Sequence, residues 1–435
     1  MYSLPMSEFQ IDHVTRWQKV VCVGWSVGVL AWRVCAGEIT HTWPQYRGPE
    51  GQGLGVATHL PHTWSETNHV LWMCPLPGLG HSSPVVADQR VWLTSATDKG
   101  RQRHVLCVDL QTGALVRDRV LYTCDEPERC HNLNSFATPT PVLEDGRVYV
   151  TFGKEGTACL AAESGETLWE RRDLPVHYFD VGVASSPILY QDKLILTCDG
   201  QADDVRYVIA LDKLTGKTVW RTDRVFADGK NPAYTHSSGV PLVVPVAGQA
   251  QLISPGAHGV RAYDLQSGRE LWQVKYGGWS VVPRPVYGND LVYVCNGVVK
   301  PVLLAIRPDG AHGDVTASAV VWQTNQHVPN MPSPLLIDNR LYTLTATRLS
   351  CLNATTGAVI WSETIPGQHM ASPVAADKHI FLFNMRGGGA VVAQGDKFQL
   401  VATNTLQEGC MASPAVVDNS LIVRTRTRLY RLGER

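Results

Sequence analysis

The chain repeats one pattern eight times, and this repeat limits its possible folds more than any other feature. Each unit begins with a proline, continues with an apolar run and a turn, and then shows a second, alternating strand pattern. The eight unit-starting prolines are Pro84, Pro141, Pro187, Pro241, Pro285, Pro334, Pro373 and Pro414. Proline is tolerated as the first residue of a strand because no ladder donor is lost there.

A second signature is a glycine followed, four residues later, by a tryptophan. It occurs as Gly165 with Trp169, Gly216 with Trp220, Gly268 with Trp272, and Gly357 with Trp361. Serine or threonine precedes each glycine. The pattern predicts a tight turn in which glycine takes a positive φ and a strand restarts on an aromatic residue. We interpret these tryptophans as core residues that pack between units.

The two signatures together predict four short strands per unit, with a period of roughly 46 residues that is typical of a β-propeller. We therefore predict an all-β, eight-bladed propeller of four-stranded blades over residues 70–435. The last unit lacks its fourth strand, and a spare strand pattern begins at Val70. Pairing of these two segments would close the ring and leave no free edge.

The first 36 residues have the layout of a secretory signal. Arg16 and Lys19 precede an apolar run, and small or apolar residues lead to a possible cleavage point after Ala36. The run is short for a membrane span, so we expect a cleaved signal, with an uncleaved anchor as the alternative. This predicts a periplasmic or extracellular protein with no transmembrane domain after signal removal. Residues 37–69 are expected to form an extended wrap over the propeller.

The net charge limits the possible binding partners, and the cysteine positions distinguish core residues from a candidate disulfide. A formal net charge of −1 argues against nucleic acid as a partner. Cys107, Cys159 and Cys351 recur at one repeat position where other units have alanine, which indicates a small buried residue. Cys124 and Cys130 share one loop and are the candidate disulfide.

In a propeller, the loops before the innermost strands and the loops between the second and third strands converge at one mouth of the channel. Polar side chains are concentrated in these loops of the sequence. The candidate ligand-binding residues are His81, His131, Asn134, His177, Asp180, His236, Trp279, His369 and Arg386. One interpretation is a mouth that binds a small polar or anionic ligand. The alternative is that these are solvated loop ends with side chains that cap strand termini.

No catalytic residue and no metal site is predicted. His81, His236 and His369 come from blades one, four and seven, which places them far apart around the ring. Residues 37–435, which follow the predicted signal, contain no nucleophile elbow of the GxSxG type. Trp279 lies outside the glycine–tryptophan frame, and we regard it as a possible stacking surface.

The Ser-Pro start combined with the turn at residues 212–220 resembles the repeat of the PQQ-like, quinoprotein-type propellers. Residues 43–49, 78–84 and 276–285 resemble more narrowly a secreted bacterial group of such propellers with no assigned biochemical role. One branch of the family holds PQQ and Ca²⁺ and commonly has two adjacent cysteines that stack on the cofactor; this sequence has no such pair. Another branch resembles a lipoprotein of outer-membrane protein assembly, and no lipoprotein processing site precedes Cys35.

The resemblance implies an exported binding or scaffold protein of the cell envelope, expected to be a monomer. Its partners would be envelope proteins or a small polar ligand. The alternative is a PQQ- and Ca²⁺-dependent alcohol or sugar dehydrogenase, in which a catalytic Asp would lie beside a Ca²⁺-binding carboxylate at the mouth. No cofactor is assured by the sequence.

Overall fold

The computed structural model describes residues 39–434, apart from 175, 179, 202–204, 225–233 and 298. The predicted signal, with Cys22 and Cys35, lies outside the described residues. The described chain forms eight antiparallel sheets, seven with four strands and one with an added fifth strand. The predicted eight-bladed all-β propeller is therefore confirmed.

Strand β1 (Val70–Pro75) precedes blade 1. From the channel outward, blade 1 consists of β2 (Val85–Ala87), β3 (Arg90–Thr97), β4 (Gln102–Asp109) and β5 (Leu115–Thr123), and blade 2 of β6 (Val142–Glu144), β7 (Arg147–Thr151), β8 (Thr157–Ala161) and β9 (Thr167–Arg171). In the same order, blade 3 consists of β10 (Ile188–Tyr190), β11 (Lys193–Asp199), β12 (Arg206–Asp212) and β13 (Thr218–Asp223), and blade 4 of β14 (Leu242–Val246), β15 (Gln249–Gly256), β16 (Gly259–Asp264) and β17 (Glu270–Lys275).

Blade 5 consists of β18 (Val286–Gly288), β19 (Leu291–Cys295), β20 (Leu303–Ile306) and β22 (Val320–Thr324), and the intervening β21 (Gly313–Asp314) is added to blade 4. Blade 6 consists of β23 (Leu335–Ile337), β24 (Arg340–Leu344), β25 (Arg348–Asn353) and β26 (Val359–Thr364), and blade 7 of β27 (Val374–Ala376), β28 (His379–Phe383), β29 (Gly388–Ala393) and β30 (Leu400–Thr405). Blade 8 contains β31 (Ala415–Val417), β32 (Ser420–Arg424) and β33 (Arg428–Gly433).

The structure describes two short 3₁₀ helices, Asp98–Gly100 and Gly153–Glu155. None of the described residues forms a helix with the length and apolar character that crossing a bilayer requires.

The ring closes through β1, which is the outermost strand of blade 8. It pairs antiparallel with β33, with Met73 opposite Tyr430 and Cys74 opposite Leu429. The predicted closure is confirmed, and the last blade has the same four-strand order as its neighbours.

Trp169 and Trp220 each reach from the outer strand of one blade to the turn of the next. The indole N–H of Trp169 donates to the carbonyl of Lys213 at 2.8 Å. Its ring lies over Gly216, where a Cβ would come within 2.6 Å of it. Trp220 covers Gly268 in the same way. Glycine is therefore required at this position for two reasons: the backbone has a positive φ, and the neighbouring indole lies too close for a Cβ.

The small residue of the repeat lies directly across from the tryptophan. Cys159 is paired with Trp169, and Ala210 with Trp220, on adjacent strands. Cys107, Cys159 and Cys351 are buried free thiols, which confirms the interpretation of cysteine as a small core residue.

Trp272 departs from this pattern. It is fully buried, and its indole N–H donates to Gln251 Oε1 at 2.9 Å. The loop after β20 carries β21, which pairs with β17 beside Trp272 as a fifth strand. Blade 4 therefore covers its outer tryptophan with a strand instead of the neighbouring glycine turn.

The residue before each proline links neighbouring blades around the channel. Ser83 N–H donates to Thr140 Oγ1, and Thr140 N–H donates to Ser186 Oγ, both at 2.9 Å. On the other side of the ring the N–H groups of Ser333, Ser372 and Ser413 continue the series, the last of them donating to Ser83. We call these six hydroxyl residues the hydroxyl belt. The belt is interrupted at blades 4 and 5, where Val240 and Arg284 occupy the position.

The predicted N-terminal wrap crosses one end of the channel. We call residues 43–55 the channel plug. Trp43 exchanges two backbone hydrogen bonds with Val86 of β2, and the Pro44 carbonyl accepts from Leu143 of β6. Leu54 lies in a bridge with Ala375 of β27. The channel plug therefore contacts the innermost strands of blades on both sides of the ring.

Two buried arginines hold the channel plug in place. The Arg47 guanidinium donates to the carbonyls of Pro334 and Pro373 at 2.7 and 3.2 Å. Arg284 donates to the carbonyls of Tyr46 and Pro241 at 2.7 and 3.1 Å. Burial lowers the pKa of Arg47 to about 10 and that of Arg284 to about 9. Both guanidinium groups are thus buried against backbone carbonyls.

The tryptophan–glycine contact predicts a difference between two alanine variants. Gly216 and Gly146 both have φ +70°, but a Cβ on Gly146 meets no atom within 4 Å. Gly146→Ala should cost about 1–2 kcal/mol from the left-handed backbone alone. Gly216→Ala should cost a further ~1–3 kcal/mol because its methyl overlaps Trp169. Chemical denaturation of both variants measures the difference.

The double variant Gly216→Ala with Trp169→Ala serves as the control. Removing the indole removes the overlap, so the two changes together should cost less than the sum of the single changes. Equal destabilisation by Gly146→Ala and Gly216→Ala would contradict this account of the repeat.

Candidate functional site at the channel mouth

A cavity of about 460 Å³ lies in the channel above the channel plug and is lined by residues from all eight blades. Its floor includes Tyr46 of the channel plug, whose hydroxyl lies 3.0 Å from Ser372 Oγ. The N-terminal segment therefore closes the channel from below. We call this space the mouth cavity.

One repeat position supplies a wall residue from every blade. The third residue before each unit-starting proline lines the mouth cavity in all eight blades, namely His81, Thr138, Ala184, Ser238, Val282, Met331, Met370 and Met411. In an extended segment alternate side chains point to the same face. The residue just before the proline therefore shares this face, and Ser83, Thr140 and Ser186 also line the cavity.

At this repeat position the wall residues of blades 1 to 4 are mostly polar, and those of blades 5 to 8 are apolar. Blades 1 to 4 contribute imidazole and hydroxyl groups, including those of His81, Thr138 and Ser238. Blades 5 to 8 contribute Val282 and three methionines at the same repeat position. At this position a ligand meets hydrogen-bonding groups from blades 1 to 4 and polarisable apolar groups from blades 5 to 8.

The structure brings five of the nine predicted site residues to the mouth cavity: His81, His131, Asn134, His236 and Trp279. Trp279 lies 5.0 Å from the ring of Tyr234 and 6.2 Å from that of His236, the latter nearly parallel. We call these three side chains the aromatic corner.

Asn134 has a structural task within this lining. Its amide nitrogen donates to the Val181 carbonyl at 2.7 Å, and its oxygen accepts from the Ser135 N–H and the Thr138 hydroxyl. The side chain thereby ties the long loop of blade 2 to the loop that precedes blade 3, and its oxygen is already engaged.

The other four predicted residues lie outside the cavity lining. His177 bonds Glu128 at 2.9 Å, and Asp180 faces Arg129 at 3.5 Å on the surface. Arg386 is exposed. His369 is buried, with its Nδ1 3.1 Å from the Ala346 carbonyl. His369 comes four residues before its proline, so the alternation of an extended strand turns it away from the channel, whereas Met370 faces it.

The residues that sequence reasoning missed are the methionines and Tyr46. Met331, Met370 and Met411 each occupy the repeat position of His81, so aligning the eight units would have identified them. Tyr46 lies outside the repeat, and no local signal places it on the channel axis.

The predicted disulfide between Cys124 and Cys130 is wrong, since both are free thiols in the structure. Burial and the nearby Glu155 carboxylate raise the pKa of Cys124. Cys130 Sγ lies over Gly182, where a Cβ would approach it to 2.8 Å.

A second cavity of about 680 Å³ adjoins the mouth cavity and shares His81, His131, Asn134 and Met411 with it. Its lining includes Lys99, Asp98 and Arg426. The charged groups of the mouth therefore lie in this outer space, because no carboxylate, lysine or arginine is among the described residues that line the mouth cavity.

The His81 imidazole is held neutral. Burial, and then the nearby cations Arg424 and Arg426, lower its pKa to about 4. Arg424 is itself fully buried between blades 8 and 1, where it donates to the Ser82 carbonyl at 3.1 Å and the Thr94 carbonyl at 2.8 Å. At neutral pH His81 therefore offers one donor and one acceptor without charge.

The described lining does not fit PQQ with Ca²⁺. Calcium takes six to eight oxygen ligands, largely carboxylates and carbonyls. The described cavity wall offers no carboxylate, and the Asn134 oxygen already accepts two hydrogen bonds. The pair of carboxylates that a dehydrogenase of this kind would need is not assembled from these residues.

The lowered pKa of His81 predicts a pH-dependent loss of stability. Between pH 6.5 and 4 the unfolded chain takes up a proton at this residue and the folded chain does not. Stability is therefore lost as pH falls through this window, by up to about 3 kcal/mol for this group. Urea denaturation of wild type and His81→Gln at pH 7 and pH 4.5 measures it. The wild type should lose more stability than the variant, and equal losses would contradict the buried neutral imidazole.

Comparison with known proteins places this architecture in a family. Residues 131–220 and 257–407 match the PQQ-repeat family described as "Outer membrane protein assembly factor BamB". Among curated proteins, tetrathionate hydrolase of Acidithiobacillus ferrooxidans is 23% identical over 206 residues, covering 42% of this chain and 39% of that protein. An uncharacterized protein of Rickettsia conorii is 26% identical over 231 residues, covering 49% and 48%. The matches span less than half the length of these relatives.

Solved structures share the fold at low identity. BamB from Moraxella catarrhalis superposes with a TM-score of 0.55 at 12% identity, covering 84% of this chain and 97% of that one. Quinohemoprotein alcohol dehydrogenase from Comamonas testosteroni gives 0.54 at 11% identity, covering 91% and 81%. Because the family match extends over more than half of the chain, this protein belongs to the PQQ-repeat β-propeller family described as outer membrane protein assembly factor BamB.

Proposed function

We propose that this protein is an exported binding protein of the cell envelope, and that its mouth cavity takes a small, uncharged ligand with both polar and apolar parts. The observation that carries the proposal is the ring of eight equivalent residues that lines a cavity closed from below by Tyr46. Well-formed concave pockets with a few polar groups on an apolar wall are typical ligand sites.

The absence of charge from the described lining favours a neutral ligand. Burying an unpaired ionic group costs far more than burying a hydrogen-bonded neutral one. The described wall has no ionic side chain to pair with a ligand charge, and His81 stays neutral. The small polar ligand expected from the sequence is therefore proposed in its uncharged form.

The aromatic corner supplies a stacking surface beside the hydrogen-bonding half of the wall. An aromatic or sugar ring on Trp279 would leave hydroxyl groups within reach of blades 1 to 4, whose wall residues include Ser238 and Thr138. Aromatic stacking contributes about 0.5–1.5 kcal/mol beyond buried area. Ligands that combine a flat ring with hydroxyl groups fit this arrangement.

Export and an envelope role rest on other grounds. The signal layout of residues 1–36 and membership in a family described by an outer membrane assembly factor support them. A scaffold role toward envelope proteins remains compatible with ligand binding, because the outer faces of the blades are separate from the mouth cavity.

Binding can be tested with phenyl β-glucoside, a neutral molecule with a ring and hydroxyl groups, and phenyl phosphate as its charged counterpart. Saturation-transfer NMR and calorimetry on the purified protein should detect the glucoside and not the phosphate. Trp279→Ala should weaken binding roughly tenfold through lost stacking. Ala184→Trp should abolish binding by filling the cavity.

Arg386→Ala and Asp180→Ala are the matched controls, since both residues lie at the surface outside the cavity. They should leave affinity unchanged. Preference for phenyl phosphate, or equal loss in Arg386→Ala and Trp279→Ala, would overturn the assignment of the site.

The dehydrogenase alternative is tested on the same preparation. Titration with PQQ, with and without Ca²⁺, should show no stoichiometric binding, and a dye-linked assay with alcohols and sugars should show no turnover. Tight binding with turnover would replace the binding proposal by a quinoprotein dehydrogenase.

Export is tested by expressing the full chain in a Gram-negative host and sequencing the N-terminus of the mature protein. A periplasmic protein that begins at Gly37 is expected. Retention of the protein in the cytoplasm with residues 1–36 intact would contradict both the signal and the envelope role.

A further inference from the structure

A cluster of three side chains that could bind a metal ion lies away from the mouth cavity, where the N-terminal segment passes blade 7. One nitrogen each of His62 and His379 and a carboxylate oxygen of Asp377 all lie within 4.8 Å of one another. Asp377 and His379 belong to the turn and first residue of the β27–β28 hairpin, and His62 comes from the segment that leads to β1. The cluster is half-buried.

We propose that His62, Asp377 and His379 form a binding site for a borderline divalent transition-metal ion, with Zn²⁺ as the representative. Two imidazoles and one carboxylate are a ligand set that suits such ions, with a further position left to water. The site is independent of the proposed ligand in the mouth cavity.

The His379 imidazole is already set in the form that a metal requires. Its Nδ1 lies 2.5 Å from the Asp377 carbonyl oxygen. Because a carbonyl oxygen only accepts, Nδ1 carries the proton and Nε2 keeps its lone pair. Metal-binding histidines commonly donate their second ring N–H to a backbone carbonyl in this way.

The His62 imidazole has a buried nitrogen without a hydrogen-bond partner. Its Nε2 is buried and has no hydrogen-bond partner among the described residues. The two imidazole rings are only 4.1 Å apart between centroids. Burial, and then His379, lower the pKa of His62, which keeps its ring neutral. A buried nitrogen that is otherwise unpaired gains a partner when a cation binds.

Neighbouring contacts hold the ligands in position. Asn404 donates to the His62 carbonyl at 2.9 Å and accepts from the Trp64 N–H at 2.8 Å. The Trp64 ring stacks on Phe383 of β28 at 5.3 Å. The Leu60 N–H lies 3.4 Å from Asp377 Oδ2. The metal would therefore fasten residues 56–69 to blade 7 at a place where backbone contacts already position them.

The test uses untagged, chelator-treated protein and Zn²⁺ or Co²⁺ alone as the probe. Calorimetry should give one Zn²⁺ per chain, and Co²⁺ should give visible absorption bands that Zn²⁺ displaces. His62→Asn and His379→Asn should each weaken binding at least tenfold and remove the Co²⁺ bands. His59→Asn, an exposed histidine on the same segment, is the matched control and should bind as wild type does.

Thermal unfolding provides a second readout. Zn²⁺ should raise the Tm of wild type and His59→Asn and leave that of His62→Asn unchanged, because only folded chains present the three ligands together. Circular dichroism verifies that the variants are folded. Unchanged Zn²⁺ stoichiometry in folded His62→Asn and His379→Asn, or no Zn²⁺ binding to wild type, would overturn the proposal.

Discussion

The antiparallel pairing of β1 with β33 is the constraint on which the rest of the structure depends. Without it blade 8 would have three strands and an open edge, and the N-terminal part of the chain would not be joined to the last blade by a strand pair. The N-terminal segment that leads to β1 first crosses the channel end, where Trp43 and Leu54 bridge to the innermost strands of blades 1 and 7. The same part of the chain therefore closes both the channel and the ring.

The innermost strand of each blade connects the two ends of the channel. Residues before the unit-starting proline line the mouth cavity, and residues two positions after it contact the channel plug, as Val86 and Leu143 do. Between them the hydroxyl belt joins neighbouring blades. One repeated segment therefore performs three tasks, and the repeat position of a residue decides which task it has.

The candidate site was predictable where the repeat determines the direction of a side chain. His81 and Trp279 were found because loops before the innermost strands converge at the mouth. His369 was predicted to line the mouth, but it comes one residue before the lining position and its side chain points to the other face. The methionines were overlooked because only polar side chains and one tryptophan were considered as candidates. The Cys124–Cys130 disulfide is not formed in the structure, because sharing a loop does not by itself impose the geometry that a disulfide requires.

By itself the sequence determined the propeller, the number of blades and the closing strand, because short-range turn chemistry recurs with a regular period and needs no knowledge of distant contacts. Only the tertiary structure decided where non-repeating residues meet. Tyr46 reaches the channel floor, and His62 meets Asp377 and His379 across more than 300 residues of chain. Such long-range contacts depend on the path of a segment without regular secondary structure. That path is determined by packing and not by a local sequence pattern.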